Sequence, residues 1–563
     1  MKSVIQFRFP AFFYGLLIAA ASLLATERGV CQSAPEPAVI ISIASIDEQL
    51  DDVEYLANAA SEEMGQMSGL LKMQARGFTR GIDTTKSAGM MMYFNEDSPQ
   101  PTTIGFVPLE NMDDMLDTLA GFAEIDEGDD IVTIIADSGQ EISIKQVGNY
   151  AFMSDQPGNL EDVPKDPSKL IGKMAEQYNI AATVYPQRIP EGLRDMAMGL
   201  IQQGSEQNMQ MLDEIDPVQA EIQQQNFEMQ MQQMENLFND TEEMVLGMAA
   251  DQKAEAIYFD LVMTAKPGSE MAEQISASKK AGASRFGGFL MDGAAMTANM
   301  TSQIAPNQKE QTLAVIKNSK EQIQEMLDAN PNMTDAQAEM TEELVDSLLD
   351  VVMQTVEDGR MDMGAVMMMS DGEMNFAMGV EAANPKKLED AVKDVVKMVE
   401  KQVGDQVQFN LNAGSHRGTT FHEILVEIPS SEEEAQQIFG DQLTLVIGIA
   451  KDAVYFAMGS GPEDILKQAM DQSAESSESK ANMPMQVNFY LSPILKFASG
   501  IQGMEMMEMM SDTLQPGGDR IQIRSEFIDN GTKTRFEIQD GILELLGAAG
   551  GMMGGMGGGG ADF

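Results

Sequence analysis

The chain has 563 residues, of which 36 are basic and 89 are acidic, so its formal net charge at pH 7 is −53. A negative excess of this size repels nucleic-acid phosphates and anionic membrane surfaces, so we expect neither as a partner. Apolar residues make up 43% of the chain, which is enough for the cores of two or more domains. The single cysteine, Cys31, excludes a disulfide framework.

The first residues have the pattern of a secretory signal peptide. Lys2 and Arg8 are basic, and the apolar run Ala11–Ala25 that follows is shorter than the roughly 20 residues that span a bilayer core. We therefore predict a cleaved signal peptide over residues 1–33 and an exported protein of the periplasm, the cell surface or the extracellular space. An uncleaved anchor and a lipid-anchored Cys31 are the alternatives, although the preceding sequence RGV fits a lipoprotein signal poorly. Beyond the signal we expect no membrane span.

Similar segments recur in the same order in the two halves of the chain, at spacings of about 270–305 residues. The matched segments are Ala88–Met92 with Ala365–Met369, Thr103–Val107 with Phe376–Val380, Tyr150–Met153 with Tyr455–Met458, Ile180–Val184 with Val487–Leu491, and Ile257–Phe259 with Ile521–Ile523. Each segment is weak evidence by itself, and their common order carries the inference. The sequence therefore predicts an internal duplication, with homologous domains over residues 36–300 and 301–546.

Each half is predicted to be an α+β domain built from strand–turn–strand–helix units. An example is the apolar run Ala453–Met458, followed by a Gly/Pro break and a helix that begins near Pro462 with acidic residues in its first turn. Hairpin turns are expected at residues 371–372 and 529–531 because Asp-Gly and Asn-Gly favour them. Strands joined this closely pair antiparallel. We expect helices to cover one face of each sheet.

Two long amphipathic helices interrupt these units. The first is predicted from Asp216 to about Gly247, because its apolar positions fall on one face: Phe227, Met231, Met234, Phe238 and Val245. The second is predicted from Thr334 to Gly359. Both are expected to pack on the sheets, with projection towards a partner as the alternative. The glycine-rich segment 547–563 is expected to be a flexible tail.

Few residues suggest chemistry. The two histidines, His416 and His422, lie six positions apart, and we expect two surface side chains, with half of a metal site as the alternative. The acidic run Asp126–Asp130 is expected to be a turn, and a loosely bound Ca²⁺ on the acidic surface is the functional alternative. The methionine clusters Met361–Met363 and Met504–Met510 suggest Cu(I) binding through thioethers, although packing is the simpler explanation.

Motifs for catalysis and phosphate binding do not occur in the sequence: there is no Gly-x-Ser-x-Gly, no His-Glu-x-x-His and no Walker-type loop. Paired carboxylates cannot be selected from so many acids. No catalytic or cofactor-binding residue and no cofactor is therefore predicted, and the metal ligands, if a metal binds, are left unassigned.

The segment Val39–Leu50, the tandem halves and the excess of acid and Met resemble large exported proteins of unknown function from planctomycete-type bacteria. The resemblance implies a compartment and no chemistry. We expect an exported, non-catalytic structural or binding protein with an unidentified protein or envelope partner. A metal-binding protein is the alternative, and a carboxylate-dependent hydrolase is the third hypothesis.

Overall fold

The computed structural model describes residues 36–547, except for 97, 129, 137–138, 214–216, 329–334, 371, 400–406, 476–482, 501–506, 508–509, 512–513 and 515–516. The predicted signal peptide, Cys31 and the tail after residue 547 lie outside the described residues. The chain divides into two compact units, one extending to Lys266 and resuming at Leu546, the other covering Pro267–Leu545. The domain boundary predicted at residue 300 falls inside a strand. Matching similar segments locates corresponding strands, but it gives no information on where a domain begins.

The described residues of the first unit form ten strands: β1 (Val39–Ile43), β2 (Ala88–Asn95), β3 (Ser98–Pro108), β4 (Ala123–Glu127), β5 (Val132–Ala136), β6 (Glu141–Val147), β7 (Tyr150–Ser154), β8 (Ile180–Val184), β9 (Thr241–Asp251) and β10 (Ala256–Ala265). Within the unit they pair antiparallel in the order β4-β5-β6-β7-β3-β2-β1-β8-β9-β10. Asp126 and Glu127 end β4, and the Gly128 N–H donates to the Ile131 carbonyl at 3.1 Å before β5 begins, while residue 129 lies outside the described residues.

Helices join these strands: α1 (Ile46–Ala60), α2 (Glu62–Phe78), α3 (Met112–Leu119), α4 (Ser168–Ile171), α5 (Met174–Gln177), α6 (Glu191–Asp213) and α7 (Pro217–Asp240). Side chains cap several N-termini; Ser45 accepts from the Glu48 N–H at 3.3 Å, and Asn111 accepts from the Asp114 N–H at 3.2 Å. The first long helix ends at Asp240, so its predicted end at Gly247 is wrong. Val245 is a buried residue of β9, where burial alternates with the period of two that a strand imposes.

In the part of the second unit that the structure describes there are also ten strands: β11 (Met296–Gln303), β12 (Arg360–Ser370), β13 (Glu373–Glu381), β14 (Val407–His416), β15 (Thr419–Glu427), β16 (Gln442–Ile449), β17 (Ala453–Gly459), β18 (Met485–Tyr490), β19 (Arg520–Ile528) and β20 (Gly531–Gln539). Their antiparallel order is β14-β15-β16-β17-β13-β12-β11-β18-β19-β20. This is the strand order of the first unit, with every number raised by ten.

The helices of the second unit are α8 (Glu270–Ser278), α9 (Pro306–Asp328), α10 (Asp335–Asp358), α11 (Pro385–Val399), α12 (Glu433–Phe439), α13 (Pro462–Glu475), α14 (Leu491–Ser499) and α15 (residues 540–547). Gly359, at φ +83°, ends α10 where the sequence predicted. The helix after Pro462 is also confirmed, and β19 turns into β20 through Asn530 at φ +51°.

In each unit, helices cover both faces of the strands around β7 and β17, and not one face alone. In the first unit Phe106 and Phe152 pack beneath α4 and α5, whereas Ala151, on the other face of β7, packs with Met115 of α3. In the second unit Phe421 packs with Leu466 of α13 on one face. The opposite face packs against α11 through Val392 and Val396, together with Ile447 and Val454. The prediction of one covered face assumes that each strand has apolar residues on one side only. These central strands are apolar on both sides.

Candidate apolar binding face

The two histidines do not form a common site. The chain does fold back between them, at Arg417 and Gly418, but their side chains leave opposite faces of the sheet. His416 Nε2 lies 2.8 Å from Asp471 Oδ1 of α13. His422, one residue beyond Phe421 in β15, faces α11 instead, with its Nε2 3.7 Å from Glu389 Oε1. The structure therefore gives no support to a shared metal site, and His422 is buried, not a surface residue as predicted.

His422 is held in one tautomer. Its Nδ1 accepts the backbone N–H of Asn412 at 3.1 Å, so the proton of the neutral ring lies on Nε2. Burial lowers the pKa of His422, and the nearby Lys393 ammonium lowers it further, although the Glu389 carboxylate acts in the opposite direction. The ring is therefore neutral in the folded protein near pH 7.

The Met361–Met363 cluster divides between the two faces of β12. Asp362 is buried on one face, where it accepts from Ser284 Oγ at 2.5 Å, the Arg285 N–H at 2.8 Å and Arg360 Nη2 at 3.0 Å. Burial raises the pKa of this carboxyl, while its three donors lower it. Asp362 thus anchors the segment at Ser284 to the sheet. Among the described residues, no group of three His, Cys, Asp or Glu side chains could hold a metal ion.

The methionines Met361 and Met363 point to the other face of β12, among further methionines. Met300 of β11 is directly opposite Met363 on one side and Met485 of β18 on the other. Cross-strand partners share a face, so these three thioethers form a row. Of the Met504–Met510 cluster, Met507 and Met510 pack against a core of leucines, and five residues of that cluster lie outside the described residues.

The first unit has a larger apolar surface, which we call the apolar face. It lies on the outer side of five adjacent strands, β2, β1, β8, β9 and β10, where the register places seventeen side chains, all apolar and none buried. They are Ala88, Met90, Met92, Val39, Ile41, Ile43, Ile180, Ala182, Val184, Met244, Leu246, Met248, Ala250, Ile257, Phe259, Leu261 and Met263. Ile180, Leu246 and Phe259 are 38%, 50% and 43% exposed.

The reverse side of the same strands is buried and partly polar. Asp260 of β10 is 2% exposed and accepts from the Tyr178 hydroxyl at 2.9 Å. The Tyr178 ring lies against Gly247 of β9, where an added Cβ would come within 2.5 Å of it. An acid thus lies inside, while apolar groups face outwards, which is the reverse of the usual arrangement of a sheet with one wet face.

A helical hairpin emerges at each end of the apolar face. The α1–α2 hairpin joins β1 to β2, and the α6–α7 hairpin joins β8 to β9. Because β8 is antiparallel to β1, the last residue of β8 and the last residue of β1 lie at opposite ends of the strands. The two hairpins therefore leave the sheet at opposite ends of the apolar face. On α2, Met64, Met67, Leu70 and Met73 form a stripe at a spacing of three residues, each 45–66% exposed.

A buried carboxylate fixes the α1–α2 hairpin to the end of the sheet at which β8 begins. Asp52 of α1, 9% exposed, accepts from Asn179 Nδ2 at 2.5 Å and from Gln252 Nε2 at 3.0 Å. Asn179 precedes β8 and also accepts the Ala250 N–H at 2.8 Å, while Gln252 lies in the β9–β10 turn. Asp52 therefore links α1 to three strands that carry the apolar face.

The sequence carries a signal for this face in two of its strands. Residues 244–250 and 257–263 are apolar at most positions of both parities, which is unusual for an antiparallel strand with a wet side. The helix predicted to end near Gly247 includes only the first half of residues 244–250, and this prediction hides the pairing of that segment with β8 and β10. Single apolar residues on a surface are ordinary, whereas a contiguous patch of several hundred Å² marks an interaction site.

Comparison with known proteins returned no match: no protein-family model, no curated protein and no solved structure is significantly similar to the chain. In the described part of the chain, no helix combines the length and the apolar character needed to cross a membrane.

Proposed function

We propose that the chain is an exported, non-catalytic binding protein and that the apolar face of its first unit binds an apolar ligand. The observation that carries the proposal is the run of seventeen apolar, unburied side chains over five adjacent strands. Five of them are methionines, whose flexible thioethers adapt to ligands of varied shape. Burying about 300 Å² of this surface would contribute about 7 kcal/mol before the cost of ordering the ligand.

A neutral apolar fluorophore tests this proposal. N-phenyl-1-naphthylamine should brighten on addition of the purified full chain, and Leu246→Glu should weaken its binding at least tenfold by placing a charge at the middle of the face. Leu546→Glu is the matched control, since Leu546 is 63% exposed and lies outside the apolar face. An unchanged affinity in Leu246→Glu, or equal losses in both variants, would refute the assignment.

We further propose that the two units arose by duplication. The identical strand order supports this, as do two matching rows of cross-strand partners, listed here from β7 to β10 and from β17 to β20. The first row is Phe152, Phe106, Gly89, Ser42, Ala181, Gly247 and Asp260. The second is Ala457, Ala377, Val366, Thr297, Asn488, Gln522 and Glu537. Both rows end on a buried acid.

Three of the sequence matches keep the register of these rows. The offsets 457 − 152 = 305, 366 − 89 = 277 and 488 − 181 = 307 equal those of the Tyr150/Tyr455, Ala88/Ala365 and Ile180/Val487 segments. The segment at Thr103 was matched two residues out of register. The segments at Ile257 and Ile521 lie in β10 and β19, which occupy different places in the order. Sequence profiles of relatives should align the halves in this register, and failure to do so would contradict duplication.

Cu(I) binding is a second candidate, because the register aligns Met363, Met300 and Met485 on neighbouring strands. Soft thioethers select Cu(I) over harder ions. One equivalent of Cu(I) should raise the thermal midpoint of the chain, and Met300→Leu should abolish the rise while conserving apolar volume. No shift in the wild-type protein would exclude this site.

A further inference from the structure

The apolar face offers a ligand nothing but hydrocarbon contact. Among its described side chains none carries a charge or a hydrogen-bonding group other than the weakly accepting thioethers. The backbone groups of the inner strands β1, β8 and β9 are engaged in ladders on both sides. An extended peptide laid on this face would leave its own N–H and C=O groups unpaired, at a cost of about 1–3 kcal/mol for each group that is fully buried.

The dimensions of the face match those of acyl chains. Five strands about 4.8 Å apart span about 19 Å, and the stretches from Val39 to Ile43 and from Met244 to Ala250 cover about 14 and 20 Å along the strands at about 3.4 Å per residue. The hydrocarbon core of a bilayer is about 30 Å thick, so the chains of one leaflet extend about 15 Å. Two or more chains therefore fit side by side on the face.

The net charge of the protein limits which head group the acyl chains can carry. At −53, the protein repels anionic head groups, and it also repels a second copy of itself. Such repulsion extends over a Debye length of about 8 Å at physiological salt, which is enough to reach a head group held at the rim. A head group without net charge avoids this penalty.

On the basis of the proposed binding function, we propose that the ligand is a lipid with no net charge, whose acyl chains lie on the apolar face. Met90, Met92, Met244, Met248 and Met263 adapt to chains that have no fixed shape. The hairpins lie at the two ends of the face, and Leu246, near the middle of β9 and 50% exposed, leaves the face open between them for the entry of the chains.

Lipid transfer from vesicles tests the proposal. Donor vesicles contain phosphatidylcholine with a pyrene-labelled acyl chain, or phosphatidylglycerol with the same label, and removal of lipid by the full chain replaces pyrene excimer emission with monomer emission. We expect transfer of phosphatidylcholine, and at least tenfold weaker transfer of phosphatidylglycerol at 0.15 M salt, where the Debye length is about 8 Å. Leu246→Glu and Ile180→Glu should each reduce phosphatidylcholine transfer at least tenfold. Leu546→Glu should transfer lipid as the wild type does.

The outcomes separate the two proposals. If N-phenyl-1-naphthylamine binds in a Leu246-dependent way but neither lipid is transferred, the lipid inference is wrong and the proposed function stands. If the fluorophore does not bind either, both are wrong. Transfer that Leu246→Glu and Ile180→Glu leave unchanged would overturn the assignment to this face. So would co-sedimentation with intact vesicles without transfer, or a dimer by light scattering that Leu246→Glu dissociates. Circular dichroism checks that both variants fold.

Discussion

The Asp52 anchor can be tested by truncating its carboxylate. In Asp52→Ala, the Asn179 and Gln252 amides lose a charged acceptor that lies 2.5 and 3.0 Å away in a nearly buried position. Hydrogen bonds to a charged group contribute about 1.5–3 kcal/mol each, so two at the lower end give about 3 kcal/mol. Since about 1.4 kcal/mol corresponds to a tenfold change, the population in which α1 is detached should rise by about 100-fold.

Native-state hydrogen exchange measures this population directly. The amides of α1 should lose about two orders of magnitude of protection in Asp52→Ala, while those of β3 and β7 in the same unit change little. Asp51→Ala is the matched control, because the Asp51 side chain, which pairs with Lys72, is 59% exposed, and exposed ion pairs contribute little to stability. Unchanged protection of α1, or an equal loss throughout the unit, would refute the view that Asp52 holds this hairpin locally.

Three further results are expected. Gly247→Ala should destabilise the first unit by about 1–3 kcal/mol in urea, because its Cβ would meet the Tyr178 ring at 2.5 Å. The same substitution should cost less in a Tyr178→Leu background, which itself loses the hydroxyl donor of Asp260, and equal costs in the two backgrounds would contradict the clash. Because the folded pKa of His422 lies below its ordinary value of 6.5, its contribution to stability is complete above pH 6.5 and is lost as the pH falls towards the folded pKa. His422→Gln should flatten this part of the stability profile, and a parallel profile would exclude the histidine as its source. Asp362→Ala should cost about 2–4 kcal/mol by thermal unfolding, since it leaves the Ser284 hydroxyl and the Arg285 N–H without their buried acceptor. Asp362→Asn keeps an acceptor oxygen and should cost less; equal losses would mean that packing alone matters.

Local signals in the sequence were reliable where they specified backbone geometry. Gly359 ended its helix, Pro462 opened one, and Asn530 formed a hairpin turn, because each depends on the conformational preference of one or two residues. The periodicity of Phe227 to Phe238 likewise predicted a helix. It failed at Val245, where a position that suits a helix stripe also suits one side of a strand, and the neighbouring strands β8 and β10 decide between them.

The sequence by itself determined the mixed α+β character, many of the strand segments and the absence of recognisable catalytic motifs, since these follow from composition, period and turn chemistry. The tertiary structure alone decided which side of each strand is buried. His416 and His422 are close in sequence, yet they face different helices. His416 pairs with Thr419 across a two-residue turn, so a side chain an even number of positions away on the next strand lies on the opposite face. The same pairing leaves Leu246 and Phe259 outside and Asp260 inside. A strand with apolar residues on both sides carries no local information about which side the rest of the chain will cover, so only the register of its neighbours reveals the apolar face.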